Sequence, residues 1–257
     1  MTARFLSGFS KAPDRKTLRY WSRAADDAGN MDYAELEQLR SDAGALRERL
    51  DRLIHVADGR LAWPRAEDAA VEKPLHCDWA WRPPLFSGPV SPTGQAAVGS
   101  GTRFGKDTAV FHDCSISELT FRQIRNHGAT DLAPFGARLD VFRFDGSFLS
   151  LVVDLPPDGV TGISRRHLVG LTIEIELERP LEVFARLNVR HGPNTEQIVR
   201  EFPMNADSMS VEFDLAYTDL NEKRIERAWL DLIFEGPKMN QITLRDVKLT
   251  RRPRAEL

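Results

Sequence analysis

Two segments of the sequence alternate apolar with polar residues, and their polar positions carry side chains that could bind a sugar. The first places Arg186, Asn188 and Arg190 two residues apart, and the second does the same with Trp229 and Asp231. Every other residue of a β-strand lies on one face of its sheet. If the two strands are neighbours, the indole could stack on a sugar ring while the other groups bond its hydroxyls, because sugars have apolar C–H faces and polar rims.

A turn that follows the first segment adds His191 and Asn194 to the candidate ligand-binding residues, because binding residues are often found in loops. The sequence around them, His-Gly-Pro-Asn, is also ordinary turn chemistry. A solvated outer face with cross-strand ion pairs, such as Arg186 with Glu174, would explain the alternating polar residues without a ligand. Both interpretations stay open at the level of sequence.

Enzyme motifs are absent from the sequence. It contains neither Gly-x-Ser-x-Gly nor a phosphate-binding Gly-Lys-Ser/Thr loop, and its histidines are scattered without metal-ligand spacing. Glu174 and Glu176 share a strand face and resemble a glycosidase pair, but this spacing is common on exposed sheets. We therefore predict a protein with no catalytic residues, no metal site and no cofactor.

Composition restricts the possible partners and the location. The 257 residues carry 35 Lys and Arg against 38 Asp and Glu, a near balance that disfavours a nucleic-acid partner. No run of eighteen apolar residues occurs, which predicts a cytoplasmic protein. Phe5, Leu6 and Phe9 lie among basic residues, so contact with a membrane surface is an alternative to a tail that is disordered or packs on its own protein. Cys77 and Cys114 are predicted to be free thiols.

A heptad pattern runs through the N-terminal part of the chain, where Leu36, Leu39, Leu46, Leu50 and Leu53 recur at steps of three, four and seven. An earlier helix that stops near Gly29-Asn30 would pair with this one as a hairpin, and Asp32 would cap the second helix, which we expect to end near Asp58-Gly59. The leucine stripe could pack within the chain or against a second copy. We favour a homo-oligomer.

Beyond the helices, the sequence predicts a β domain. Prolines and glycines are dense between Trp63 and Gly101, which indicates an extended strap. From Thr102 onward, short period-two segments alternate with turn residues, a pattern typical of an antiparallel sandwich. Asp145-Gly146 between two such segments is a hairpin signal.

The last residues carry a resemblance to a known family. A strand that ends in Phe-Glu-Gly-Pro is followed by Ile-Thr-Leu-Arg-Asp-Val-Lys-Leu, and both are preceded by Phe-Asp-Leu-Ala-Tyr-Thr. This succession resembles the end of galactose-binding-like jelly rolls, the sandwich of many carbohydrate-binding modules. The resemblance implies a jelly-roll fold and a carbohydrate ligand.

These observations predict a mostly β protein, an antiparallel jelly-roll β-sandwich preceded by an α-helical hairpin. The predicted divisions are a helical hairpin over 1–62, a strap over 63–101 and the sandwich over 102–257. The function we predict is non-catalytic glycan binding by a sandwich on an oligomerising helical arm. The alternatives are a scaffolding protein that uses the sandwich and the heptad helix as interfaces, and a carbohydrate-active enzyme.

Overall fold

The computed structural model of the protein describes residues 15–68, 71, 73–128, 131–203 and 206–254. Phe5, Leu6 and Phe9, the residues considered for membrane contact, lie outside the described residues. Contacts within the chain separate two units, Met1–His55 and Val56–Leu257. In the described part of the chain, no helix combines the length and the apolar character needed to cross a membrane. The cytoplasmic location stays a prediction.

The N-terminal helical region contains α1 (Arg15–Asp27), a 3₁₀ turn (Ala28–Asn30) and α2 (Tyr33–Asp68). Asp32 caps α2, because its Oδ1 accepts hydrogen bonds from the backbone N–H groups of Ala34 and Glu35 at 2.9 and 3.0 Å. The expected end of this helix near Asp58-Gly59 was wrong, since α2 continues to Asp68. One glycine costs a helix only about 1 kcal/mol relative to alanine, so Gly59 alone does not end the helix.

The leucine stripe of α2 changes in exposure along the helix. Leu36, Leu39 and Leu46 are partly buried. Leu50 and Leu53 are 46% and 63% exposed, so the second half of the stripe lies open in the described part of the chain.

Thirteen strands, two single-turn α-helices and two 3₁₀ turns (Leu215–Tyr217 and Glu222–Arg224) follow within the described residues. In chain order the strands and α-helices are β1 (Trp79–Trp81), α3 (Pro84–Ser87), β2 (Gly94–Ala96), β3 (Thr102–Phe104), β4 (Thr108–His112), β5 (Leu119–Arg125), β6 (Phe135–Val141), β7 (Leu149–Asp154), α4 (Pro157–Val160), β8 (His167–Leu177), β9 (Val183–His191), β10 (Asn194–Glu201), β11 (Ser208–Asp214), β12 (Ile225–Phe234) and β13 (Asn240–Pro253).

The strands form two antiparallel sheets that make a β-sandwich, which confirms the predicted fold class. The first sheet has the order β11-β8-β13-β6-β5-β2, with β1 also paired to β13. The second has the order β10-β9-β12-β7-β4-β3. Alternation along each strand builds the core: Leu230, Leu232 and Phe234 of β12 are fully buried, and the residues between them lie on the outer face of the second sheet.

The predicted hairpin at Asp145-Gly146 was wrong, because β6 and β7 belong to different sheets. The connection between them is held to another loop instead. Asp113 accepts hydrogen bonds from the backbone N–H and the hydroxyl of Ser147 at 2.7 and 2.6 Å, and Asp145 accepts the corresponding pair from Ser115. The serine hydrogen bonds hold the pKa of both aspartates below its usual range.

The proline-rich segment contributes directly to the sandwich. β1 and β2 both lie in it, and Leu85 and Phe86 of α3 are 1% and 0% exposed. The indole N–H of Trp79 donates to Asp158 at 3.1 Å, and the ring packs on Gly159 so closely that a Cβ there would collide with it. The predicted divisions at residues 62 and 101 stay predictions.

Candidate functional site

A groove of about 630 Å³ runs across the outer face of the second sheet. It crosses strands β9, β12, β7, β4 and β3, which place alternate side chains on this face. Its lining residues are Arg103, Ala109, Phe111, Phe148, Ser150, Val152, Asp154, Arg186, Arg227, Trp229, Asp231 and Ile233.

The strands β9 and β12 are paired, as the sugar-binding hypothesis required, and this pairing brings three predicted residues into the groove. Asp231 lies opposite Arg186, and Trp229 lies opposite Asn188. Trp229, Asp231 and Arg186 line the groove, and Asn188 is fully buried next to them. Their role in binding a ligand stays a prediction.

Arg186, Asp231 and Asn188 form one polar cluster at the groove. Nε and Nη2 of Arg186 lie 2.8 and 2.6 Å from Oδ2 of Asp231, and Nδ2 of Asn188 donates to the same oxygen at 3.1 Å. The Asp231 side chain is 4% exposed, while that of Arg186 is 37% exposed. The aspartate therefore fixes the guanidinium at the edge of the groove.

A second polar cluster joins β12 to β7 and β3. Arg103 of β3 donates to Oδ2 of Asp154 at 3.0 Å, and Arg227 of β12 donates to Oδ1 of the same carboxylate. The guanidinium of Arg227 also lies over the Trp229 ring, 4.9 Å from its centroid, a cation–π distance. Trp229 thus lies between the two arginine–aspartate clusters.

Apolar side chains form the rest of the groove. Phe111 of β4 and Phe148 beside β7 are 39% and 40% exposed, although they are large and aromatic. Ser150 is buried among these strands, and among the described residues its hydroxyl has no hydrogen-bond partner. The Oδ1 atom of Asn188 is likewise buried and has no hydrogen-bond partner among the described residues. Both atoms are themselves buried, so they are not exposed in the groove.

Besides the buried Asn188, three predicted ligand-binding residues do not line the groove. Arg190 forms an ion pair with Glu226 at 3.0 Å, and Asn194 is exposed at the start of β10. His191 is 4% exposed, and its Nδ1 accepts a hydrogen bond from the backbone N–H of Asn221. The roles of these residues in binding stay predictions. The ion pair of Arg186 with Glu174, suggested as an alternative to a ligand, was wrong, because Arg186 binds Asp231 on the neighbouring strand of its own sheet.

Sequence reasoning missed the half of the groove formed by β3, β4 and β7. Arg103, Phe111, Phe148 and Asp154 line this half of the groove but were not among the candidates, and neither was Arg227 of β12. A usable signal was present at Phe111, an aromatic residue at an outward position of an otherwise buried strand. The pairing of β7 with β12, which places Asp154 opposite Trp229, is a long-range contact that no local pattern indicates.

Outside the groove, the two cysteines and the Glu174–Glu176 pair are the groups with potential chemistry that the sequence indicated. Cys77 and Cys114 are free thiols, and burial raises the pKa of each, which opposes thiolate formation. Glu176 bonds Arg245 at 2.9 and 3.0 Å. Burial, followed by the charge of the neighbouring Asp246, raises the pKa of Glu174. Among the described residues, no group of three or more His, Cys, Asp or Glu is placed to hold a metal ion.

Several solved structures are similar to parts of this chain. The enzymatically active domain of tailspike protein 4 from bacteriophage CBA120 is 7% identical with a TM-score of 0.40, over 56% of this chain and 19% of the tailspike chain. A family 11 carbohydrate-binding module from Clostridium thermocellum, in complex with a β-1,3-1,4-mixed-linked tetrasaccharide, is 11% identical with a TM-score of 0.36, over 63% and 97% of the two chains.

A family 61 carbohydrate-binding module in complex with β-1,4-galactotriose is 15% identical with a TM-score of 0.36, over 60% of this chain and 92% of the module. The similarities include carbohydrate-binding modules, as the sequence resemblance implied. This chain spans about a fifth of the length of the tailspike chain. No curated protein matches the sequence. The model of a family of unknown function matches residues 1–257.

Proposed function

The chain belongs to DUF6478, a family of unknown function, and we propose from the geometry of the groove that the sandwich is a non-catalytic carbohydrate-binding domain. The observation that carries this proposal is the position of Trp229, which lies in an open groove between two arginine–aspartate clusters. An aromatic ring flanked by fixed hydrogen-bonding groups matches the apolar faces and polar rim of a sugar.

Arg186 is held in place before any ligand arrives. Asp231 fixes its guanidinium, so little side-chain freedom is lost when a sugar hydroxyl binds to it. Arg103 and Arg227 share the carboxylate of Asp154 and keep more freedom. Arg227 covers part of the Trp229 ring, but its side chain is 50% exposed and has room to move aside. The clusters belong to neighbouring strands of one sheet, a scaffold that keeps their spacing constant.

The first test replaces the aromatic platform. Trp229→Ala is expected to weaken binding to whichever polysaccharide the wild type binds by about 2 kcal/mol or more, roughly thirtyfold, because a central aromatic side chain dominates such a contact. Affinity electrophoresis across a panel of plant, algal and bacterial polysaccharides identifies the ligand, and titration calorimetry measures the affinity.

The matched control is Phe142→Ala. Phe142 is a 51% exposed aromatic residue outside the groove, so its removal should leave the affinity unchanged. Absence of binding to every polysaccharide at millimolar sugar concentration would overturn the proposal. An unchanged affinity in Trp229→Ala would place the binding site elsewhere.

We also propose that the open half of the α2 stripe mediates self-association. Leu50, Leu53 and Ile54 are each between 46% and 63% exposed. Exposed apolar residues at heptad spacing favour burial against another helix. Association would place several sandwiches on one polysaccharide, and linked weak sites bind far more tightly than one.

Light scattering coupled to size exclusion tests this association. The wild type is expected to have a mass that is a multiple of the 29.0 kDa chain, and Leu50→Ser/Leu53→Ser is expected to shift it toward one chain. Glu48→Ser/Arg49→Ser, which changes two exposed polar residues of the same helix, should leave the mass unchanged. A wild type that elutes at the mass of one chain would contradict the association.

A further inference from the structure

The accessible charge of the groove is positive. Three guanidinium groups line it, those of Arg103, Arg186 and Arg227, against the two carboxylates of Asp154 and Asp231. The arginine side chains are between 37% and 52% exposed, whereas the aspartate side chains are 23% and 4% exposed. A ligand that enters the groove therefore meets guanidinium groups above largely covered carboxylates.

This local charge is opposite in sign to that of the whole chain, which has a formal net charge of −3. A positive groove on a slightly acidic protein attracts anions to one place rather than to the surface in general. The groove is also aromatic, so the anion it fits carries an apolar face as well as a charge.

We propose that the groove binds acidic polysaccharides, whose sugar rings carry carboxylate or sulfate groups. This inference rests on the proposed carbohydrate-binding function and specifies its ligand class. Guanidinium groups bind carboxylate and sulfate oxygens through charge-assisted, often paired hydrogen bonds. An acidic sugar that stacks on Trp229 would carry its anionic group beside Arg227, which lies over the same ring.

The Arg103–Asp154–Arg227 cluster is arranged to release an arginine to such a ligand. Arg103 binds Oδ2 of Asp154 and Arg227 binds Oδ1, so either arginine can turn to the ligand while the other still neutralises the carboxylate. The exchange leaves no buried charge without a partner, which keeps its cost low.

The groove is long enough to bind more than one charged sugar. Arg227 and Asp231 are four residues apart on β12, a distance of about 13 Å at the usual rise of a strand. Arg186 lies opposite Asp231, so positive groups lie on both sides of Trp229. A polysaccharide with repeated charges can meet both at once.

The experiment compares matched acidic and neutral polymers on the full-length protein. Polygalacturonate is paired with β-1,4-galactan, and dextran sulfate with dextran, so that carboxylate and sulfate are tested separately. Binding to at least one acidic polymer is expected to be at least about tenfold tighter than to its neutral partner. Added sodium chloride should weaken that binding, because the arginines are exposed to solvent. Polyglutamate serves as an anionic polymer without sugar.

Arg103→Gln/Arg227→Gln is expected to remove most of the preference for the acidic polymer, and Arg103→Lys/Arg227→Lys to keep much of it. Arg122→Gln is the matched control. Arg122 is 53% exposed and lies 4.0 Å from Asp140 on the first sheet, so its exposure matches that of Arg103, which is 52% exposed. Circular dichroism and thermal unfolding verify that each variant is folded.

The outcomes separate this inference from the proposed function. Equal binding to acidic and neutral polymers overturns the inference and supports a carbohydrate-binding groove. Binding to no polysaccharide overturns both. Binding of polyglutamate as tight as that of polygalacturonate, unchanged by Trp229→Ala, overturns the inference, since the groove would then recognise charge alone.

Discussion

A chain that begins at Thr102 is expected to lose cooperative unfolding, whereas a chain that begins at Val56 is expected to keep it. The shorter chain lacks β1 and β2, which pair with β13 and β5 of the first sheet. It also lacks four core side chains that are each at most 6% exposed: Leu85, Phe86, Val90 and Val98. The proline-rich segment is therefore a component of the core.

The size of this effect follows from the buried side chains alone. Burial of one such side chain stabilises a fold by about 1.5–3 kcal/mol, so the loss of four costs about 6–12 kcal/mol. A typical domain has a free energy of unfolding of about 5–15 kcal/mol. Urea titrations followed by far-UV circular dichroism would measure the difference. A single steep transition in the Thr102 chain, with a midpoint near that of the Val56 chain, would contradict it.

The sequence predicted the strands well because each strand is half-buried and its pattern is local. In β12, Leu230 and Leu232 are fully buried and Trp229 lies on the opposite face, as the period of two indicates. The same reasoning placed Arg186 on the outward face of β9. The period of two and the turn residues between segments are properties of short stretches of sequence, and they sufficed to predict the strands.

Strand pairing could not be predicted in the same way, because partners are distant in sequence. The Asp145-Gly146 signal failed since β6 and β7 pair with strands of different sheets, and four hydrogen bonds from Ser115 and Ser147 hold the connection to another loop. The half of the groove that contains Asp154 was missed for the same reason. The place of Asp154 beside Trp229 depends on the pairing of β7 with β12.

The buried ion pair between Arg82 and Asp246 provides the second large expected effect. Two hydrogen bonds of 2.8 Å join the guanidinium to the carboxylate, and both side chains are 6% exposed. Arg82→Met removes the positive charge and leaves the carboxylate buried close to Glu174, whose own pKa is raised by burial and then by Asp246. The free energy of unfolding at pH 7 is expected to fall by about 3–5 kcal/mol.

Arg122→Met is the matched control for the loss of an arginine. Its partner Asp140 lies 4.0 Å away, and the Arg122 side chain is 53% exposed, so water replaces the lost interaction. The expected change is about 0–1 kcal/mol. A similar loss of stability in both variants would show that removal of any arginine destabilises the sandwich, contrary to the argument from burial.

The double variant Arg82→Met/Asp246→Leu distinguishes the cost of an isolated charge from the net contribution of the pair. Removal of both charges leaves apolar side chains in a buried position, and such replacements are often neutral or stabilising. Recovery of most of the stability lost in Arg82→Met is therefore expected in urea unfolding. The pair would then matter mainly because neither charge tolerates burial alone. Since Arg82 belongs to the proline-rich segment and Asp246 to β13, the pair holds that segment against β13. A double variant as unstable as Arg82→Met would instead assign the loss to the packing of the arginine side chain.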